Sequence, residues 1–155
     1  MLSRVPVRTK PIDHYLPLLE EPLRQELSRL GAALRGARVL QINATAYGGG
    51  VAELLLSLVG LEQSLGLAAE WRTIGGDESF FAVTKQLHNA LQGQPSALTE
   101  AQKAAYLSVN RQDAAALERY DVIIVHDPQP AAIRRYAGRG HAAWVWRCHI
   151  DTSAP

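Results

Sequence analysis

The chain has 155 residues, of which 47% are hydrophobic and 20% are charged, and its formal net charge is +1. This length and composition are typical of one globular domain and exclude a disordered chain. Because 16 basic residues are balanced by 15 acidic ones, the overall charge argues against a nucleic-acid partner.

The cysteine content and the lack of a visible targeting signal lead us to expect a cytoplasmic location. The N-terminal ten residues are charged and lack the apolar core of a secretory signal. The most apolar window, 51–69, is interrupted by Glu53, Glu62 and Gln63 and is too polar to cross a bilayer. The one cysteine, Cys148, excludes an internal disulfide, and its apolar neighbours predict a core residue within a strand. We therefore expect a cytoplasmic protein without membrane association.

Residues 1–36 are predicted to form an N-terminal arm followed by a helix. The first 11 residues contain two prolines and no periodic pattern, which indicates an irregular arm. Pro22 suits the first turn of a helix. Leucines recur near the helical period at Leu16, Leu19, Leu23, Leu27, Leu30 and Leu34. We expect this helix to pack on the outside of a sheet formed by residues 37–155.

A strand around 38–43 is followed by a glycine-rich turn at Gly48, Gly49 and Gly50 and then by a helix over 51–65. Glycines permit positive φ and leave backbone N–H groups accessible, and a helix N-terminus favours an anion. The spacing matches neither a Walker A loop nor a complete G-x-G-x-x-G motif. Two interpretations stay open here, a phosphate cradle and a tight turn without a ligand.

The remaining elements alternate between strands and helices. They are a strand at 68–74, a helix at 78–91 capped by Asp77, a helical region at 99–118 interrupted near Asn110 or Asp113, a strand at 120–125, a short helix at 131–137 and a strand at 142–148. The continuous apolar run at 120–125 is typical of a strand buried on both faces. The pattern predicts an α/β fold, a Rossmann-like parallel sheet with helices on both faces.

Polar residues collect where the predicted strands end. Beyond the glycine loop, they are Asn43, His126, Asp127, Gln129, His149 and Asp151. Ligands of open α/β sheets bind beyond the carboxyl ends of the strands, so these positions predict a site. Phe81, Lys85 and His88 share one face of the predicted helix 78–91 and form a second candidate group.

Each candidate also has a purely structural interpretation. Asp127 precedes Pro128 and can start a turn, and His126 can be a hydrogen-bonded, half-buried histidine. Asn43 can bond a neighbouring loop, and the face of Lys85 can be solvated helix surface. His149 and Asp151 are two residues apart, but no third ligand at a recognisable spacing indicates a metal.

Four stretches together carry a resemblance to a known family. Residues 43–53, 80–93, 126–130 and 144–151 resemble trehalose synthases of the glycosyl-transferring type, which are retaining GT-B glycosyltransferases of family 4. The resemblance implies the N-terminal, acceptor-side half of an enzyme that joins glucose from UDP- or ADP-glucose to free glucose. A C-terminal domain that holds the nucleotide is expected as the missing partner, so we expect the fragment alone to be inactive.

The resemblance also implies roles for individual residues. The amides of Gly48, Gly49 and Gly50 would face the donor diphosphate. His149 would contact the donor sugar near its 6-hydroxyl, and Asp127 would bond sugar hydroxyls, both as catalytic residues. The acceptor-sugar wall would comprise Asp127, His126, Gln129, Asp151, Lys85 and His88. No metal or other cofactor is expected, and the oligomeric state is left open, with a homodimer as one alternative.

Two other functions are consistent with parts of the sequence. The first is a free-standing, non-catalytic module that binds a sugar or a phosphate. The second is a nicotinamide-binding Rossmann domain, which is disfavoured because the glycines lack the required spacing and the strand at 68–74 ends in Gly75, Gly76 and Asp77 without a clear ribose-binding acid at its tip.

Overall fold

The computed structural model describes residues 1–138 and 140–153, so Arg139 and the last two residues of the predicted domain 37–155 lie outside the described part. The strands are β1 (Ser3–Val5), β2 (Arg38–Asn43), β3 (Ala68–Thr73), β4 (Val122–His126) and β5 (Ala143–Arg147). The α-helices are α1 (Glu21–Ala33), α2 (Gly50–Ser64), α3 (Glu78–Leu91), α4 (Glu100–Ala115) and α5 (Ile133–Tyr136). Two short 3₁₀ turns, Ile12–His14 and Leu16–Leu18, precede α1.

The strands form one sheet in the order β1-β3-β2-β4-β5. Strands β2 to β5 run parallel, and β1 pairs antiparallel with β3 at one edge. The prediction of an α/β fold with a Rossmann-like sheet is therefore confirmed. From β2 the chain moves outward to β3 and then crosses to β4 on the other side, so the order reverses between β2 and β4. A crevice at such a switch point is where open α/β sheets bind ligands.

The prediction of an irregular arm over residues 1–11 is wrong for Ser3–Val5. This segment pairs with β3, with Ser3 opposite Thr73 and Val5 opposite Trp71. The amino group of Met1 lies 3.1 Å from Oδ1 of the buried Asp113, which holds the start of the chain against α4. A three-residue edge strand has no room for a periodic pattern, so backbone pairing alone reveals it.

Alternate residues of β2 face two separate cores. Leu40 and Ile42 pack with residues of α3, α4 and β4, whereas Val39 packs against α2 and β3. Gln41 and Asn43 share the face of Val39 because side chains alternate along a strand. The face toward α2 thus contains two buried polar residues, Gln41 and Asn43, within an otherwise apolar layer.

Three local expectations differ from the structure. Helix α1 contacts the end of α2, where its one buried residue, Gly31, meets Leu65, instead of covering the sheet. Helix α4 continues through Asn110, whose amide donates to the carbonyls of Tyr106 and Gln129. Cys148 is half-buried and follows the last residue of β5, so its prediction as a core residue within a strand is wrong.

The exposure of β5 explains why Cys148, which follows this strand, is only half-buried. Val145 and Trp146 are 47% and 51% exposed, so in the described part of the chain this strand forms an open edge of the sheet. An apolar sequence predicts a buried strand, but burial depends on what packs against it.

Within residues 1–138 and 140–153, none of the helices is both long enough and apolar enough to traverse a lipid bilayer.

Candidate functional site

A cleft of about 360 Å³ lies beyond the carboxyl ends of β2 and β4, at the switch point of the sheet. The predicted site residues that line it are Gly48, Gly49, Gly50, His88, Asp127 and Gln129. Residues from two strand ends, the start of α2 and the face of α3 therefore meet at one place. The structure brings these six predicted residues together, although they are spread widely along the sequence.

The glycine loop leaves backbone amides accessible at the start of α2. Gly48 has a φ of 74°, Gly49 is extended, and α2 begins at Gly50 without a side-chain cap. The first backbone bond of the helix runs from the Glu53 amide to the Gly49 carbonyl, so the preceding N–H groups are not used within the helix. A Cβ added at any of the three glycines would meet no atom within 4 Å. The loop therefore offers open N–H donors to an anion.

Asn43 fixes the beginning of this loop. Its side chain is buried, Oδ1 accepts a bond of 2.7 Å from Trp71 Nε1, and Nδ2 donates to the Thr45 carbonyl over 2.8 Å. The Thr45 hydroxyl in turn bonds the backbone of Tyr47. The structural interpretation of Asn43 is thus confirmed, since it bonds a neighbouring loop and a core tryptophan.

Asp127 has the one left-handed backbone among the described non-glycine residues, with a φ of 63°. Three hydrogen bonds hold it there: its amide donates to the Arg147 carbonyl, its carbonyl accepts from Trp146 Nε1, and Oδ1 accepts from the His149 amide over 2.7 Å. Left-handed backbone is unfavourable for a residue with a Cβ, although Asp and Asn tolerate it best. Such strain clusters at functional sites, where the surrounding structure maintains it.

His149 lies at the same edge of the sheet as the glycine loop and Asp127. The residue is exposed, its amide bonds Asp127, and its ring Nε2 lies 2.8 Å from Nδ1 of His126. Its ring is therefore held at one nitrogen, while the rest of the imidazole is accessible to a ligand.

His126 occupies a different environment from the one expected of a sugar ligand. Its side chain is 1% exposed, and its Nε2 lies 2.8 Å from Oε1 of Gln41. Burial lowers the pKa of His126 to about 4, with the neighbouring His149 and Arg147 acting in the same direction, so the ring is neutral at physiological pH. The expectation that His126 contacts an acceptor sugar does not fit this burial. Instead, Nδ1 of His126 bonds Nε2 of His149 and holds that ring from its buried side.

Two residues that we did not select from the sequence extend this contact. Gln41 is buried, and its Nε2 donates to Oε1 of Glu62 over 2.8 Å. Burial raises the pKa of Glu62 to about 7, and the bond from Gln41 opposes this rise. The signals were present, because Gln41 is a polar residue inside an apolar strand and Glu62 interrupts an apolar helix.

Lys85 and Asp151 lie outside the cleft. Lys85 is exposed on α3 and does not line the cavity that His88 reaches. Asp151 is exposed, and the bonds that it accepts from the hydroxyl and amide of Ser153 lower the pKa of its carboxyl group. Phe81 lines a separate, larger depression of about 630 Å³ between β1 and residues 44–47. Lys85, Asp151 and His149 are not among the residues that line the cleft. His149 is joined to the cleft through its amide bond to Asp127, a lining residue, whereas Lys85 and Asp151 make no such contact within the described residues.

The chemistry of the cleft suits phosphate and hydroxyl groups. It combines backbone amides, the imidazole of His88, the carboxylate of Asp127 and the amide side chains of Asn43 and Gln129. In the described ranges, no three His, Cys, Asp or Glu side chains come close enough together to hold a metal ion.

This architecture is consistent with one class of protein. A sheet with this strand order, a glycine loop before α2 and a His–Asp pair at the switch point fit the Rossmann-like N-terminal half of a GT-B glycosyltransferase. A family model described as "Trehalose synthase, N-terminal domain" matches residues 41–155. The chain therefore belongs to the family of trehalose synthase N-terminal domains.

Curated relatives agree with this assignment. A trehalose synthase of Rubrobacter xylanophilus is 49% identical over 161 residues, covering 100% of this chain and 39% of the relative. One of Pyrococcus horikoshii is 42% identical over 147 residues (93% and 35%), and one of Thermococcus litoralis is 37% identical over 149 residues (94% and 36%). The chain thus spans less than two fifths of the length of these relatives.

Proposed function

We propose that this chain is the acceptor-side domain of a retaining glucosyltransferase that forms trehalose from a nucleotide-diphosphate glucose, UDP- or ADP-glucose, and free glucose. The observation that carries this proposal is the meeting of the glycine loop, His88, Asp127 and Gln129 in one cleft, with His149 bonded to Asp127. A second domain holding the nucleotide would close this cleft from the other side. The proposed location is the cytoplasm.

The glycine loop has the properties required to bind a diphosphate. Its accessible amides lie at the positive end of a 15-residue helix, and this end attracts negative charge. When the bond between the glucose C1 and the phosphate oxygen breaks, negative charge grows on the leaving phosphate. Fixed N–H dipoles stabilise that charge at the position where it develops.

Asp127 and His149 would orient the two sugars. The Asp127 carboxylate can accept bonds from sugar hydroxyls through the oxygen that the His149 amide does not use. We propose that His149 binds the donor glucose near its 6-hydroxyl. The acceptor hydroxyl then attacks C1 on the face that the phosphate leaves, and its proton passes to the leaving phosphate. Orientation of both sugars supplies much of the rate gain.

The test is trehalose formation by the full-length protein with nucleotide-glucose and glucose. We expect His149→Ala to lower turnover by about tenfold or more. His14→Ala is a matched control, because His14 is exposed on a 3₁₀ turn remote from the cleft. Full turnover by His149→Ala would refute the role of His149, and failure of the unmodified protein to form trehalose would refute the reaction.

A free-standing binding module predicts a different result for the chain alone. Calorimetry of residues 1–155 with glucose, trehalose and nucleotide-glucose distinguishes the two. The enzyme proposal expects weak nucleotide-glucose binding because the second domain contributes most contacts. Tight binding by this chain alone would favour the module.

A further inference from the structure

Four polar side chains form one continuous hydrogen-bonded chain that runs from α2 across β2 and β4 to His149, whose amide is bonded to the cleft residue Asp127. Glu62 of α2 accepts from Gln41 of β2, Gln41 bonds His126 of β4, and His126 bonds His149, each over 2.8 Å. We refer to Glu62, Gln41, His126 and His149 as the relay. The two central members are 0% and 1% exposed, so water does not compete for their bonds.

The direction of each bond in the relay follows from its first member. An ionised carboxylate can only accept, so Glu62 requires the NH₂ group of Gln41 and turns its carbonyl oxygen toward His126. That oxygen in turn requires a proton on Nε2 of His126. Because burial keeps this ring neutral, its Nδ1 carries a lone pair and accepts from His149.

We propose that Glu62, acting through Gln41 and His126, is a positioning residue that fixes His149 in the tautomer with the proton on Nε2. In this tautomer the ring presents an unprotonated Nδ1, a hydrogen-bond acceptor, to the ligand. This nitrogen has no partner within the described residues. The ligand group that it recognises is a hydroxyl acting as donor. The proposal deepens the role of His149 and rests on the proposed function for its relevance to catalysis.

The cost of the arrangement supports a function beyond folding. The second carboxylate oxygen of Glu62, Oε2, is also buried and has no partner in the part of the chain that the structure describes. A half-satisfied buried carboxylate destabilises a fold relative to an apolar residue of similar size. Apolar residues in place of the whole buried network would avoid this cost, so folding alone does not require the carboxylate.

The opposite direction of the relay is chemically possible and gives the opposite result. If the amide of Gln41 were reversed, its NH₂ group would donate to an unprotonated Nε2 of His126. Nδ1 of His126 would then donate to His149, whose proton would lie on Nδ1. Above the pKa of Glu62, about 7, its charge excludes this arrangement, because it would place the Gln41 carbonyl against a carboxylate.

The tautomer can be measured without any activity. In the 155-residue chain with ¹⁵N-labelled histidine, the nitrogen shifts at about pH 8.5, above the pKa of Glu62, distinguish a protonated ring nitrogen from an unprotonated one. We expect His149 to show one tautomer, protonated on Nε2, whereas exposed His14 serves as an internal reference for an unconstrained ring.

Two substitutions test whether Glu62 sets this state. Glu62→Gln removes the charge that orients Gln41, and Gln41→Met interrupts the relay with little change in volume. We expect both to produce a mixture of His149 tautomers, while Glu100→Gln, an exposed carboxylate on α4, leaves the spectrum unchanged. A His149 ring protonated on Nδ1 in the unmodified chain, or one unaffected by both substitutions, would overturn the proposal.

Activity provides a second readout in the full-length protein. We expect Glu62→Gln to lower kcat by about tenfold and to have no further effect when combined with His149→Ala. Additive losses would overturn the proposal, because they would show that Glu62 acts independently of His149. If His149→Ala alone has no effect, the proposed function of His149 fails, while the spectra still decide the tautomer.

Discussion

The amide of His149 donates to the carboxylate of Asp127 over 2.7 Å, while the backbone of Asp127 is left-handed with a φ of 63°. This contact joins the ends of β4 and β5 and sets the imidazole beside the glycine-loop cleft. Asp127 maintains a strained backbone and accepts the His149 amide at the same time. The geometry of the strand ends beside the cleft therefore depends on the side chain of Asp127.

Substitutions of Asp127 should separate strain from hydrogen bonding. Asp127→Asn keeps an oxygen acceptor and tolerates left-handed backbone, so we expect a stability within about 0.5 kcal/mol of the unmodified chain. Asp127→Ala loses the acceptor and retains a Cβ, and it should lower the free energy of unfolding by about 1–2 kcal/mol. Urea unfolding of both variants measures the difference. Equal stabilities would contradict the role of the bond to His149.

The glycine loop predicts a contrast between two neighbouring glycines. Gly48→Ala places a Cβ on a backbone with a φ of 74° and should destabilise the chain by about 1 kcal/mol. Gly49→Ala adds a Cβ to extended backbone in open space, so we expect unchanged stability but weaker binding of nucleotide-glucose. Thermal unfolding and calorimetry of the full-length variants test this contrast. Loss of stability in Gly49→Ala would indicate that Gly49 has a packing role instead.

The two ionisable members of the relay that are buried, Glu62 and His126, are predicted to leave stability nearly independent of pH over a range in which each would change it alone. Between the ordinary pKa values of 4.5 for Glu62 and 6.5 for His126, the unfolded chain ionises the carboxyl group and protonates the imidazole. The folded chain keeps both groups neutral, because it raises the pKa of Glu62 to about 7 and lowers that of His126 to about 4. The pair therefore binds one proton in either state, and its contribution to stability is nearly independent of pH in this range.

Removing one member of the pair should reveal the other. In Glu62→Gln only His126 remains, and the unfolded chain binds the additional proton, so stability should rise by about 2–3 kcal/mol as the pH rises from 4 to 6.5. Chemical unfolding at several pH values measures this slope, with Glu100→Gln as the control. A variant with the same profile as the unmodified chain would contradict the neutral state of buried His126.

The bond from Trp71 to Asn43, which fixes the beginning of the glycine loop, predicts a loss of stability when its donor is removed. Trp71→Phe removes the Nε1 donor and leaves Oδ1 of buried Asn43 without its partner. We expect a loss of about 2 kcal/mol, of which part reflects the smaller ring. The variant Asn43→Leu in the Trp71→Phe background removes the unsatisfied group, and a double-mutant cycle should give a coupling energy above about 0.5 kcal/mol. A coupling energy near zero would contradict the anchoring role of this bond.

Strand β4 and helix α2 were predictable because their patterns are local. The apolar run at 120–125 identifies a buried strand, and the glycines before an apolar helix identify the turn at the switch point. Because ligands of open α/β sheets bind beyond the strand ends, the same patterns assign Asp127 and the glycine loop to one edge of the sheet. These two signals are sufficient to locate the cleft.

The sequence left a hydrogen-bonded, half-buried His126 as one alternative, but its complete burial and its partners in the relay were not predictable from local patterns. Gln41 is 21 positions from Glu62 and 85 positions from His126 in the sequence, and only the strand order places these residues side by side. Strand β1 was missed for a similar reason, since its register depends on β3 and not on its own three residues. Side-chain partners across a sheet are set by the tertiary fold.

Helix α2 contains the glycine-loop amides at its first residue and Glu62 in its last turn, about 18 Å apart along its axis. One rigid rod therefore joins the place where a diphosphate would dock to the carboxylate that orients the imidazole.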